Sequence, residues 1–144
     1  MPDKLLRVLV VDDNHDNADI IRSYLESTRE YVATVAYDGD EALRQFRQEQ
    51  PDLVLLDVVM PGTNGWDVCR IMKSEMAHAA ALRVIMVTAR DDLTDKRTAL
   101  QTGADDFLEK PLDLTKLLAA VRRNAVALRT RGTPTGSDQP GSRA

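Results

Sequence analysis

The stretch RVLVVDDN, residues 7–14, runs four apolar residues, Val8 to Val11, straight into two adjacent carboxylates, Asp12 and Asp13. An uninterrupted apolar run of this length suits a strand buried on both faces, the kind found inside a parallel sheet. The paired acids then fall where the strand ends. Burying an unpaired carboxylate is costly, and a second one alongside adds like-charge repulsion. A chain that places acids there has a cation or a reaction to put beside them.

Four further runs of strand length follow, YVATVAY (31–37), DLVLLD (52–57), LRVIMVT (82–88) and DDFLEK (105–110). The segments between them have helical spacing. Ile20, Ile21, Tyr24 and Leu25 make one stripe, and Leu114, Leu117, Leu118, Val121 and Leu128 another. Asn14 is the expected N-cap of the first helix, with Asp16 in its first turn, where the helix dipole favours an acid. Strict alternation of strand and helix predicts an α/β fold: a doubly wound parallel sheet with helices on both faces. The first, third and fourth runs are apolar throughout and read as central strands. The second and fifth carry Thr34, Asp105, Asp106 and Glu109 and read as edges. That division matches the flavodoxin-like order 2-1-3-4-5, with five strands and five helices.

Bulk composition narrows the classes. The 144 residues are 43% hydrophobic and 29% charged, with a net charge of −4. No apolar run approaches the roughly 20 residues that span a bilayer, and MPDKLLRVLVVDD lacks a signal-peptide layout, so no membrane association is expected. The single Cys69 cannot form an internal disulfide and fits a cytoplasmic location. Residues 129–144, RTRGTPTGSDQPGSRA, set Arg129, Arg131 and Arg143 against Asp138 and are rich in Gly, Pro, Ser and Thr. They read as a disordered tail on a domain of residues 1–128. That domain carries −6 and has no clustered basic face, and no helix-turn-helix pattern follows residue 128. Nucleic acid is therefore not an expected partner.

In open α/β sheets, ligands bind outside the carboxyl ends of the strands. Here those ends are Asp12-Asp13, Asp57, Thr88 and Lys110. Three carboxylates brought to about 4 Å repel by about 4 kcal/mol per pair at an effective dielectric near 20. Oxygen ligands without His or Cys select a hard cation, and Mg²⁺ is the expected one. Lys110 and Thr88 add a point charge and a hydroxyl donor suited to a transferring phosphoryl group, which a carboxylate can itself accept.

VDDN after the first strand, LLDVVMPGTNGWDV after the third, MVTA after the fourth and DDFLEKPL at the fifth together resemble the receiver domain of two-component response regulators. The match covers about residues 5–128, and four motifs in order are far more specific than an isolated pair of acids. The resemblance implies that Asp57 is the phosphoacceptor, charged by a histidine kinase or phosphotransfer protein or by a small donor such as acetyl phosphate. It implies that Asp13, Asp57 and the carbonyl of Val59 hold Mg²⁺, with Asp12 acting through metal-bound water. Lys110 and the N–H of Ala89 would bind the phosphoryl group. Thr88 and Phe107 would switch on phosphorylation, and Lys110-Pro111 would be cis. Output would pass through the face formed by the fourth helix, fifth strand and fifth helix, to a downstream protein. The chain would act as a monomer or a phosphorylation-dependent dimer, and would catalyse only its own phosphorylation and dephosphorylation.

Val59 and Arg90, two residues after Asp57 and Thr88, offer no group to orient an attacking water and a side chain able to overhang the phosphoryl group, respectively. This pair predicts slow to moderate self-dephosphorylation. A Mg²⁺-dependent phosphatase using an aspartyl phosphate is the alternative, but Val59 stands where such enzymes carry a second acid. Flavin or nucleotide binding is disfavoured because the first loop, DDNHDN, is acidic and has no glycine. Taken singly, the remaining candidates have plainer readings. Cys69, Met72 and Met76 suit a helix core, His15 a solvated helix start, and Gly62 and Gly65 backbone turns after Pro61.

Overall fold

The apolar runs become strands close to where the sequence puts them. The computed structural model describes residues 5–75, 82–88, 101 and 103–132, with residues 129–132 as backbone. Strands β1 (Leu6–Val11), β2 (Tyr31–Ala36), β3 (Leu53–Asp57), β6 (Arg83–Thr88) and β7 (Asp106–Glu109) form one sheet in the order β2-β1-β3-β6-β7, every neighbour parallel. This is the flavodoxin-like order, renumbered because two short strands intervene. Those two, β4 (Val59–Met60) and β5 (Thr63–Asn64), pair antiparallel across a Pro61-Gly62 turn. Gly62 sits at φ 70°, where a side chain would be strained.

Side chains alternate across a strand, and a central strand must bury both sets. One set, including Leu9, Val54, Leu56, Val84 and Met86, packs against α2 (Gly39–Glu49) and α3 (Gly65–Glu75) through Phe46, Cys69 and Met72. The other, including Val8, Val10, Leu55 and Ile85, packs against α1 (His15–Ser27) and the last helix, α4 (Leu114–Gly132), through Ile21, Leu25, Leu117 and Val121. Cys69 and Met72 are thus core, as their spacing suggested. The stripe on α1 is Ala18, Ile21 and Leu25; Ile20, expected to share it, is 54% exposed. Of the fourth sequence helix (residues 91–103), Gln101, which is helical, and Gly103, at φ 94°, are described; the rest of it, Met76, Ala89 and Arg90 lie outside the described residues. Helix α4 runs to Gly132, four residues beyond the expected end of the domain at 128; residues 133–144 are not described.

Side chains cap the helices. Asn14 Oδ1 accepts from Asn17 N at 2.9 Å and starts α1. Asp38 accepts from Glu41 N at the start of α2, while the Glu41 carboxylate reaches back to accept from Tyr37 N, one residue before the cap. Glu26 likewise takes the Ala33 N–H, so the edge strand β2 is not left with all its donors bare. On the opposite edge, Asp105 accepts from Lys73 Nζ and from Val84 N, both at 2.8 Å. Asp106 accepts from Arg123 and from the buried Asn124, which also accepts from Arg83. This polar seam fastens β7 to α3, β6 and α4 where the strand itself buries little.

Candidate functional site

Strand register sets the site. Val11 lies beside Leu56, so the next residues, Asp12 and Asp57, leave adjacent strands at equal height. Asp57 pairs with Val87, and Thr88 with Glu109, which puts Thr88 and Lys110 on the same rim. The rim gathers residues from position 12 to position 110 because all these strands point the same way. Asp12, Asp13 and Asp57 each offer a carboxylate oxygen within 4.8 Å of the others. Asp12 and Asp57 are buried, at 5% and 2% exposure, whereas Asp13 is exposed. Lys110 Nζ donates to Asp57 Oδ2 at 3.1 Å. Val59 N donates to Asp57 Oδ1 at 3.3 Å, and Asn14 N to Asp12 Oδ1 at 2.9 Å.

Burial holds the Asp57 carboxyl above the ordinary range, since desolvation disfavours the charged form. The Lys110 ammonium and the Val59 N–H pull it back, and the Asp12 charge pushes it up again. One ammonium cannot balance three clustered carboxylates. The donor set is all oxygen, two of the carboxylates are buried, and Asp13 opens to solvent, so the residues fit a hard divalent cation that keeps part of its water shell.

Of the other sequence candidates, Thr88 is buried on the strand beside Asp57, and Val59 is 70% exposed at the mouth of the site. Phe107 is half-buried and packs on the core shared by α2 and α3. The Lys110-Pro111 bond is cis. Ala89 and Arg90 fall outside the described residues. An open cleft of about 360 Å³ adjoins the acids, lined by Asp12, Asn17, Ile20, Lys110 and Leu112 among others. His15 is exposed, as expected, yet its ring stacks on Tyr37 with centroids 3.7 Å apart and planes 20° from parallel. The Tyr37 hydroxyl donates to Asp19 at 2.9 Å, which raises the phenol's pKa. Residues 15 and 37 sit on successive βα units, so no local pattern could have paired them.

The role of Gly65 is also visible only in three dimensions. It serves close approach rather than a turn. Gly65 N donates to Val58 O at 2.8 Å, and a Cβ there would meet Asp57 O, with Val58 Cα at 2.7 Å. Helix α3, capped by Asn64 Oδ1 on Trp66 N at 2.8 Å, therefore abuts the main chain of Asp57 itself. Because the obstructing atoms are backbone, Gly65→Ala is expected to cost about 1–3 kcal/mol by overpacking. Chemical denaturation checks this, with a midpoint well below wild type expected.

Comparison with known proteins agrees with the geometry. The response regulator receiver domain model matches residues 8–122. Among solved structures, a CheY-like response regulator receiver domain protein from Methanospirillum hungatei JF-1 is similar at 26% identity and a TM-score of 0.81, covering 90% of this chain and 100% of that one. The receiver domain of NtrX from Brucella abortus is similar at 31% identity and a TM-score of 0.73, covering 85% and 98%. A two-component response regulator from Clostridium difficile is similar at 25% identity and a TM-score of 0.76, covering 89% and 99%. With the sheet order, the acidic rim and a family match over most of its length, this chain belongs to the response regulator receiver domain family.

Proposed function

We propose that the protein is a phosphorylation-dependent switch that accepts a phosphoryl group on Asp57 from a phosphohistidine of a histidine kinase or phosphotransfer protein. The observation that carries this reading is the buried Asp57 carboxylate, in a cluster with Asp12 and Asp13 and bonded to Lys110 Nζ at 3.1 Å. Asp12, Asp13 and Asp57, with the Val59 carbonyl, would hold Mg²⁺. When bound, the ion supplies two positive charges that offset the carboxylates and the phosphoryl oxygens.

An Asp57 oxygen attacks phosphorus as the bond from phosphorus to the donor nitrogen breaks, and the imidazole leaves. With acetyl phosphate, a P–O bond breaks and acetate leaves. Val59 N–H and Lys110 fix the carboxylate before transfer, so reach and angle are set in advance. Lys110, 42% exposed at its side chain, has room to follow charge onto a phosphoryl oxygen. Thr88 and the Ala89 N–H would take others. Phosphorylation adds roughly two negative charges, and the groups that turn toward them bias the surface formed by the fourth sequence helix, β7 and α4. Phe107, on β7 next to that surface, would move with Thr88.

Val59 argues against turnover as a phosphatase. It is apolar, lies two residues after Asp57 and cannot serve as an acid or base. Intact mass after incubation with acetyl phosphate tests the proposal. Wild type in Mg²⁺ is expected to gain one phosphoryl group, and wild type with chelator or Asp57→Asn to gain none. Equal labelling of Asp57→Asn, or rapid release of phosphate from a simple phosphomonoester, would overturn it.

A further inference from the structure

Helix α2 contributes nothing to the acidic cluster, yet its first residue is shaped around the loop that follows Asp57. Gly39 is buried, and a Cβ built on it would meet Thr63 Cγ2, with Thr63 Oγ1 at 3.0 Å and Thr63 Cβ at 3.1 Å. Its backbone is not in the left-handed region, so the glycine answers a need for space and not for conformation. Thr63 in turn pairs with Met60, and Asn64 with Val59, in the short β4–β5 ladder. That ladder sets the height of Val59, whose N–H holds Asp57 Oδ1. At its far end Gly65 closes onto the main chain of Asp57 and Val58. The loop is thus held at two points, on its own strand through Gly65 and on α2 through Thr63.

We infer that Gly39 is a positioning residue for the phosphoacceptor loop: its missing side chain lets Thr63 seat against α2, and Thr63 carries that placement through the ladder to Val59 beside Asp57. The contact lies outside the acid cluster and touches none of the reacting atoms. A methyl group at position 39 pushes the β4–β5 loop away from α2, which moves the Val59 N–H and carbonyl relative to the carboxylates. Chemistry at Asp57 then suffers with every acid still in place.

The inference rests on Asp57 being the phosphoacceptor, and size complementation tests it separately from that reading. Gly39→Ala, Thr63→Ala and the double variant are compared with wild type for Mg²⁺ affinity by calorimetry, initial labelling rate with acetyl phosphate, and melting temperature. Gly39→Ala is expected to bind Mg²⁺ at least threefold more weakly and to label at least fivefold more slowly. Thr63→Ala, which removes both Thr63 atoms that crowd the new methyl beyond Cβ, is expected to bring the double variant within twofold of Thr63→Ala alone on both measures. If Gly39→Ala does not fold, the double variant must fold and meet the same twofold criterion. A Gly39→Ala protein with wild-type affinity and rate overturns the inference. So does a double variant that melts near wild type but keeps the weakened Mg²⁺ binding. A wild type that neither binds Mg²⁺ nor labels would count against the parent reading instead.

Discussion

In metal-free buffer at pH 7, Asp57→Asn is expected to melt above wild type, by roughly 3 °C for each 1 kcal/mol of relieved strain in a domain of this size. Asp57 is buried beside Asp12, and its pKa lies above the ordinary carboxylate value, chiefly because burial disfavours the charge. The sign follows from linkage. The unfolded chain gives up this proton at lower pH than the folded one, so ionisation favours unfolding. Stability from the neutral carboxyl is fully present below the unfolded pKa and is lost as pH rises through the folded value. Asn imitates the neutral form at every pH. The advantage of the variant should therefore be largest near neutrality and shrink as the pH falls into the ordinary carboxylate range. Mg²⁺ should reverse the order. A ligand at 100 times its dissociation constant adds about 2.7 kcal/mol to the state that binds it, and wild type should gain more than the variant. Thermal melts at three pH values, with and without Mg²⁺, read all of this. A variant less stable than wild type in metal-free neutral buffer would mean that the Lys110 contact outweighs the burial of charge.

Lys110→Ala should separate binding from reaction. Lys110 Nζ is 3.1 Å from Asp57 Oδ2 and is the cation bonded to that carboxylate among the described residues. Removing it leaves the acid cluster more negative, so Mg²⁺ affinity should hold or rise. The labelling rate should fall about 100-fold or more, the usual consequence of deleting one preorganised donor to developing charge. Because the Lys110 side chain is 42% exposed, its loss should disturb the fold little. Parallel losses in affinity and rate would instead assign Lys110 to holding the cluster together.

How much of this was legible in the chain depends on the kind of signal. Strands such as Leu6–Val11 and Arg83–Thr88 could be placed almost to the residue because both of their faces are buried, and that burial writes an unbroken apolar run. The rim followed from topology, since parallel strands end together. Ile20 faces out at 54% exposure, because helical spacing alone cannot tell a residue at the edge of a stripe from one just beyond it. Helix α4 runs on to Gly132, into the segment that reads as tail from residue 129, because a run of Arg and Thr is as compatible with a solvated helical turn as with a loop. The β4–β5 ladder is two residues per strand, too short for any periodicity. The contacts of Gly39 with Thr63 and of His15 with Tyr37 join different βα units, so they exist only once the units are docked.

Borohydride reduction of the protein labelled with acetyl phosphate and Mg²⁺, followed by peptide mass mapping, tests the central claim most directly. An aspartyl phosphate is reduced to homoserine, so the modified position is read from the peptide itself. Conversion at residue 57 and nowhere else is the predicted result. Homoserine at Asp12 or Asp13, or a phosphoryl group that survives reduction on another side chain, would contradict it.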